Sequence, residues 1–190
     1  MGLSTCCLMR GVRAESTSLE PGPWLEKSGL VSDRALKGVL SLTRFQDEIY
    51  IVNADIQWIP KSQADGLPTV VVPRGFVTDL ASVPRVFFSL FRPDGTYAAA
   101  AVVHDYLYWA QPVPRVIADR IFLEAMIDLR VSPVQRRVLF EAVAEFGEGS
   151  WKQNALLRRS GEKRVLREFP TEPDTTWAQW KAKPGVFGEL

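Results

Sequence analysis

The sequence predicts an α+β fold, with a small antiparallel β-sheet in the N-terminal half followed by a bundle of about three helices. Three observations point there. Between about residues 39 and 79, β-branched and aromatic residues recur in partial alternation ("GVLSLTRF", "EIYIVNADIQWIP", "LPTVVVPRGFVTD"), the pattern of half-buried strands. Pro60, the turn-forming "KSQADG", Pro73 and Gly75 cut that region into short pieces. From Tyr97 onward the residues are good helix formers, with start signals in place.

The elements follow in order. Residues 1–38 are rich in Ser, Gly, Pro and Glu, with "EPGP" at Glu20–Pro23, and read as an irregular arm. The strands come next, in a single domain spanning residues 39–151. In "FVTDLASVPR", Asp79 is placed to cap a tight turn, answered by Ser82 and stiffened by Pro84. The functional alternative makes Asp79 an oxygen ligand or an orienter of His104. Thr96 caps a helix over Tyr97–Ala110, and "PVPR" breaks it. A second helix runs from about Val116 to Leu129. Ser132 and Pro133 open a third, for which Gly147 is a natural stop. Residues 152–190 form a polar, basic tail in which Trp177 and Trp180 are either docking anchors for a partner or residues that fold back on the body.

Bulk composition excludes several classes. With 23 basic and 22 acidic residues the formal net charge is +1, so no basic field supports general nucleic-acid binding. Cys6 and Cys7 are adjacent, which rules out a disulfide framework, and two cysteines with one histidine fall short of a structural zinc site. "LSTCCLM" is too short for a signal-peptide apolar region, and no apolar run approaches the roughly 20 residues of a membrane span. A soluble protein, without a transmembrane segment or a cleaved signal, is the expectation.

The single histidine lies in "AAAAVVHDYLYW", Ala98–Trp109. On a helix, Tyr97, Ala101, His104, Asp105 and Tyr108 share one stripe. The break at "QPVPR" invites the next helix to pack antiparallel, which brings Asp119 opposite His104. A carboxylate on one imidazole nitrogen leaves the other as a base near neutral pH, and Asp105 is an oxygen ligand for a hard cation. The same spacing equally describes a core histidine satisfied by a neighbouring aspartate. One histidine is too few for the metal-dependent HD phosphohydrolases. HExxH and Gly-rich phosphate loops are absent, and Ser82 has no nucleophile-elbow sequence around it.

Taken together, "FVTDLASVPR", "AAVVHDYLYW", "ADRIFLEAM" and "FEAVAEFGEGSW" resemble the family called domain of unknown function 1353, over about Val70–Trp151. That resemblance implies a bacteriophage or prophage origin. A more local likeness joins "HDYLY" and "ADRIFLEAM" to the helix pair of phospholipase A2. It implies that His104 activates water, Asp119 orients it, Tyr108 joins the hydrogen-bond network and Asp105 holds calcium. The Gly-rich calcium loop and the bracing disulfides of those enzymes have no counterpart here.

The favoured expectation is a phage-derived assembly component of a tail, baseplate or neck, in the virion or the host cytoplasm. Its arms would bind other phage structural proteins, an oligomer being one such arrangement, and its His-Asp cluster would brace the helical core. The alternative is a small metal-assisted hydrolase on lipid or cell-envelope material. In it His104, Asp119 and Tyr108 are catalytic, and Asp105 and Asp79 serve Ca2+. A solvent-open cleft at His104 would favour the enzyme, and a sealed histidine the assembly part.

Overall fold

The computed structural model describes residues 36–61, 66–80 and 97–188. The arm up to residue 35, Ser82, Pro84 and Thr96 lie outside the described residues. Among these residues six strands come first: β1 Leu36–Lys37, β2 Leu42–Arg44, β3 Tyr50–Val52, β4 Ile56–Trp58, β5 Val70–Val72 and β6 Val77–Thr78. Among the described residues four helices follow: α1 Ala98–Ala110, α2 Arg115–Asp128, α3 Pro133–Arg159 and α4 Trp177–Lys181.

The order of strands and then helices is the α+β arrangement read from the sequence, but the single expected sheet is two. β1, β4 and β5 form one antiparallel sheet in the order β1-β4-β5, and β2, β3 and β6 form another in the order β2-β3-β6. The division falls inside "EIYIVNADIQWIP". There the Asn53 side chain accepts from Thr43 Oγ1 at 3.0 Å and donates to Ser41 Oγ at 3.1 Å, while Asp55 Oδ1 accepts the Arg74 N–H at 2.7 Å. These side-chain bonds lie at the point where β3 ends and before β4 begins. In the first sheet Ile56 pairs with Val72 and Trp58 with Val70, and all four are buried. Exposed Val71 between them shows the period of two.

The main core joins this sheet to α1, α2 and α3 through Trp58, Val72, Val103, Leu107, Phe122, Met126 and Leu139. Ser132 caps α3, its hydroxyl accepting from the Gln135 N–H at 3.3 Å, and Pro133 occupies the first turn as expected. Gly147 does not stop this helix, which continues to Arg159. The glycine has a packing reason instead. A Cβ at Gly147 would stand 2.2 Å from the Tyr108 hydroxyl.

The chain after α3 folds back on the second sheet. Val165 bridges to Phe76 and Leu166 to Phe187. The Leu166 N–H donates to the Gly75 carbonyl at 2.9 Å, and a Cβ at Gly75 (φ +88) would stand 2.0 Å from the Leu166 oxygen. Thr176 and Gln179 close a capping box on α4. That short helix seats Trp177 in a second, smaller core with Phe45, Ile51, Val77, Leu166 and Val186.

Candidate functional site

α1 and α2 pack directly, joined by Gln111–Pro114, with Gln111 in the left-handed region at φ +51. That reversal brings the stripe of α1 against the first turns of α2. His104 Nε2 lies 2.9 Å from Asp119 Oδ1, and the Tyr108 hydroxyl donates to the same oxygen at 2.7 Å. A carboxylate only accepts, so Nε2 carries the ring proton and Nδ1 the lone pair. Asp119 Oδ2 accepts from Arg115 Nη1 at 3.0 Å, and that nitrogen also reaches the carbonyls of Val143 and Ala144 on α3. One carboxylate therefore receives an imidazole, a phenol and a guanidinium from two helices.

The ring is held by its neighbours. It stacks on Phe122 at 4.7 Å and leans on Tyr108 at 4.2 Å, while Trp151 meets Tyr108 edge-on at 5.2 Å. Burial pushes the His104 imidazole below its ordinary range, against the opposing pull of Asp119. The ring is thus neutral at pH 7. Burial, reinforced by Asp119, drives the Tyr108 phenol well above its usual range, so it remains a donor.

The neighbouring acids sit differently. Thr78 on β6 donates its hydroxyl to Asp105 Oδ2 and accepts the Leu80 N–H at 3.0 Å. Leu80 has φ +53, a strained conformation for a leucine, in the turn that leaves Asp79 exposed. Asp79, Asp105, His104 and Tyr108 line one cavity of about 610 Å³. Its far wall is α3, with Phe146, Ser150, Gln153 and Asn154, and Arg164 closes one end. The His104 side chain is only 1% exposed, at the base of this space. No three acidic, histidine or cysteine side chains among the described residues come within reach of a common cation. Calcium requires about six to eight oxygens, so these residues alone do not form its cage.

Of the residues singled out in the sequence, His104, Tyr108 and Asp119 are brought into contact, and Asp105 and Asp79 reach the same cavity from its other side. Trp177 and Trp180 lie far along the chain in the folded-back tail. Trp177 is 8% exposed and packs on Phe45 at 5.6 Å, while Trp180 donates its indole N–H to the Glu168 carbonyl at 3.1 Å. Sequence reasoning missed Arg115, although its i,i+4 spacing to Asp119 was readable. It also missed the α3 wall, because ending the helix at Gly147 removed that wall from view.

Among the described residues no helix is long and apolar enough to cross a membrane. No curated protein and no solved structure matches the chain. Residues 53–143, which hold His104, Tyr108, Arg115 and Asp119, match the family model described as "Protein of unknown function (DUF1353)". Over this segment the chain is similar to the DUF1353 family.

Proposed function

We propose that the chain is a small hydrolase in which His104 is the general base of a water-activating His-Asp dyad, acting on an acyl bond of lipid or other cell-envelope material. The observation that carries this reading is the shared carboxylate: Asp119 binds His104 Nε2 at 2.9 Å while Tyr108 and Arg115 hold it still. With Nε2 fixed as donor, Nδ1 takes a proton from water, the water oxygen attacks the carbonyl carbon, and Asp119 stabilises the imidazolium that forms. The tetrahedral intermediate then collapses, the bond from the carbonyl carbon to the leaving group breaks, and the imidazolium gives its proton to that departing group. Neutral His104 is in the right protonation state at pH 7 for the first of these steps.

A second reading has its own support. The His104 side chain is 1% exposed, as a core brace would be, and Val116 and Val134 stand exposed on α2 and α3 as interface residues would. In that reading the chain is a phage-derived assembly component that binds other structural proteins. The test compares wild type with His104→Ala and Asp119→Asn for hydrolysis of phospholipid vesicles and cell-wall fragments, alongside thermal unfolding. Loss of turnover in variants that keep their melting temperature supports the dyad. A wild type inactive on both substrates, with both variants melting several degrees lower, supports the brace.

A further inference from the structure

The α3 wall of the His104 cavity has a polarity that packing does not explain. Val143, Gly147, Ser150, Asn154 and Leu157 follow one another at i,i+4 and i,i+3 spacing, so they share one face of the helix, and all of them line that cavity. An inward seam of this kind is ordinarily apolar along its length. Here it is apolar at both ends, where Val143 is buried and Leu157 half-buried. Gly147 makes room for the Tyr108 hydroxyl. Ser150 and Asn154 turn the seam polar where it passes the cavity, and Gln153 lines the same space beside them. Among the described residues, none of these three side chains has a hydrogen-bond partner. The wall is nevertheless held firmly against α1. Gln111 Nε2 donates to the Trp151 carbonyl at 2.8 Å, and Arg158 Nη1 donates to the Trp109 carbonyl at 3.1 Å.

The chemistry of that wall selects among the materials of the cell envelope. A fatty acyl chain pressed against it would strip water from a hydroxyl and two carboxamides and return no hydrogen bond. A peptide chain returns both kinds, because each backbone unit carries a donor and an acceptor and a carboxamide both donates and accepts. Glycan strands offer hydroxyls, but their glycosidic links contain no acyl carbon for a His-Asp dyad to attack. Building on the dyad proposed above, we propose that this cavity takes a peptide chain of the cell envelope, held along α3 by Ser150, Gln153 and Asn154. The bond broken there is then a peptide bond. Water deprotonated by His104 adds to the carbonyl carbon, the C–N bond breaks, and the proton passes to the departing amine, leaving a carboxylic acid and an amine.

The test separates binding from turnover. Soluble stem peptides released from peptidoglycan are titrated into the full-length His104→Gln chain by calorimetry, beside peptide-free glycan strands and phosphatidylglycerol vesicles. Turnover of the same materials is followed with wild type. The expected result is saturable binding of the peptides alone. Asn154→Leu and Gln153→Leu, added to His104→Gln, should each weaken it about tenfold with melting unchanged. Lys152→Gln, on the opposite side of α3 and paired with Glu148, should not weaken it. Peptides that bind but are not cleaved by wild type would remove the dyad and leave the peptide assignment standing. Vesicles cleaved by wild type but not by His104→Gln, without peptide binding, would keep the dyad and overturn the assignment. Preference for glycan, no binding of any of these materials, or equal binding by the Asn154→Leu and Lys152→Gln variants also overturns it.

Discussion

The molecule has two buried aromatic clusters built on opposite principles. In the tail cluster Trp177 packs on Phe45 at 5.6 Å and on Phe187 at 6.0 Å, and the other fully buried members, Ile51, Val77, Leu166 and Val186, are aliphatic. Apolar burial accounts for it fully, and other side chains of similar volume would serve. The α1–α2 cluster surrounds a carboxylate with an imidazole, a phenol and a guanidinium. Buried ionic groups are weak stabilisers, and apolar residues of equal volume often do as well or better. The tail cluster is explained by the fold alone. The His104 cluster needs a second reason, and the proposed dyad would supply one.

The largest expected effect comes from removing the shared acceptor. Asp119→Ala removes the shared acceptor of the His104 imidazole and the Tyr108 hydroxyl and the counter-charge of Arg115, and should cost about 3 kcal/mol or more in urea unfolding. A loss below 1 kcal/mol would mean that the network is not the organising feature of the helix pair. Trp177→Ala should cost about 3 kcal/mol, but locally. Proteolysis should then cut the chain beyond α3 while the proposed hydrolysis survives, and loss of that activity would join the two clusters.

Two glycines one turn-half apart on α3 sharpen the contrast. Gly147→Ala meets the Tyr108 hydroxyl and should destabilise by about 1–3 kcal/mol despite alanine's better helix propensity. Gly149 has no described atom within 4 Å of its added Cβ, so Gly149→Ala should raise stability by up to about 1 kcal/mol. Equal melting shifts in the two variants would contradict the packing given for Tyr108.

The smallest effect is in pH. Folding lowers the His104 pKa, so the unfolded chain binds that proton more readily. The contribution is absent above the unfolded value of about 6.5 and becomes destabilising as pH falls below it, until the folded group also protonates. His104→Gln should flatten the decline of melting temperature between pH 7 and pH 5. An unchanged slope would assign the decline to other groups.

Much of this was legible in the chain. Helix periodicity brought His104, Tyr108 and Asp119 together because i, i+4 geometry and a short break leave two helices few ways to pack. The extent of α3 was not legible. A glycine reads as a stop when only local propensity is considered, and the Tyr108 hydroxyl that requires Gly147 comes from 39 residues earlier in the chain. The split into two sheets depended on side-chain bonds of Asn53 and Asp55, in a stretch whose apolar pattern looks continuous. The docking of Trp177 on Phe45 joins segments too far apart for any pattern to pair.

The most direct test of the central claim is a double-mutant cycle in kcat/KM on the substrate that wild type turns over, using His104→Gln, Asp119→Asn and the pair. A dyad acts as one unit, so the double variant should be no slower than the slower single variant. Losses that multiply, or a wild type no faster than its variants on vesicles and wall fragments alike, would contradict the claim and leave the cluster as a brace.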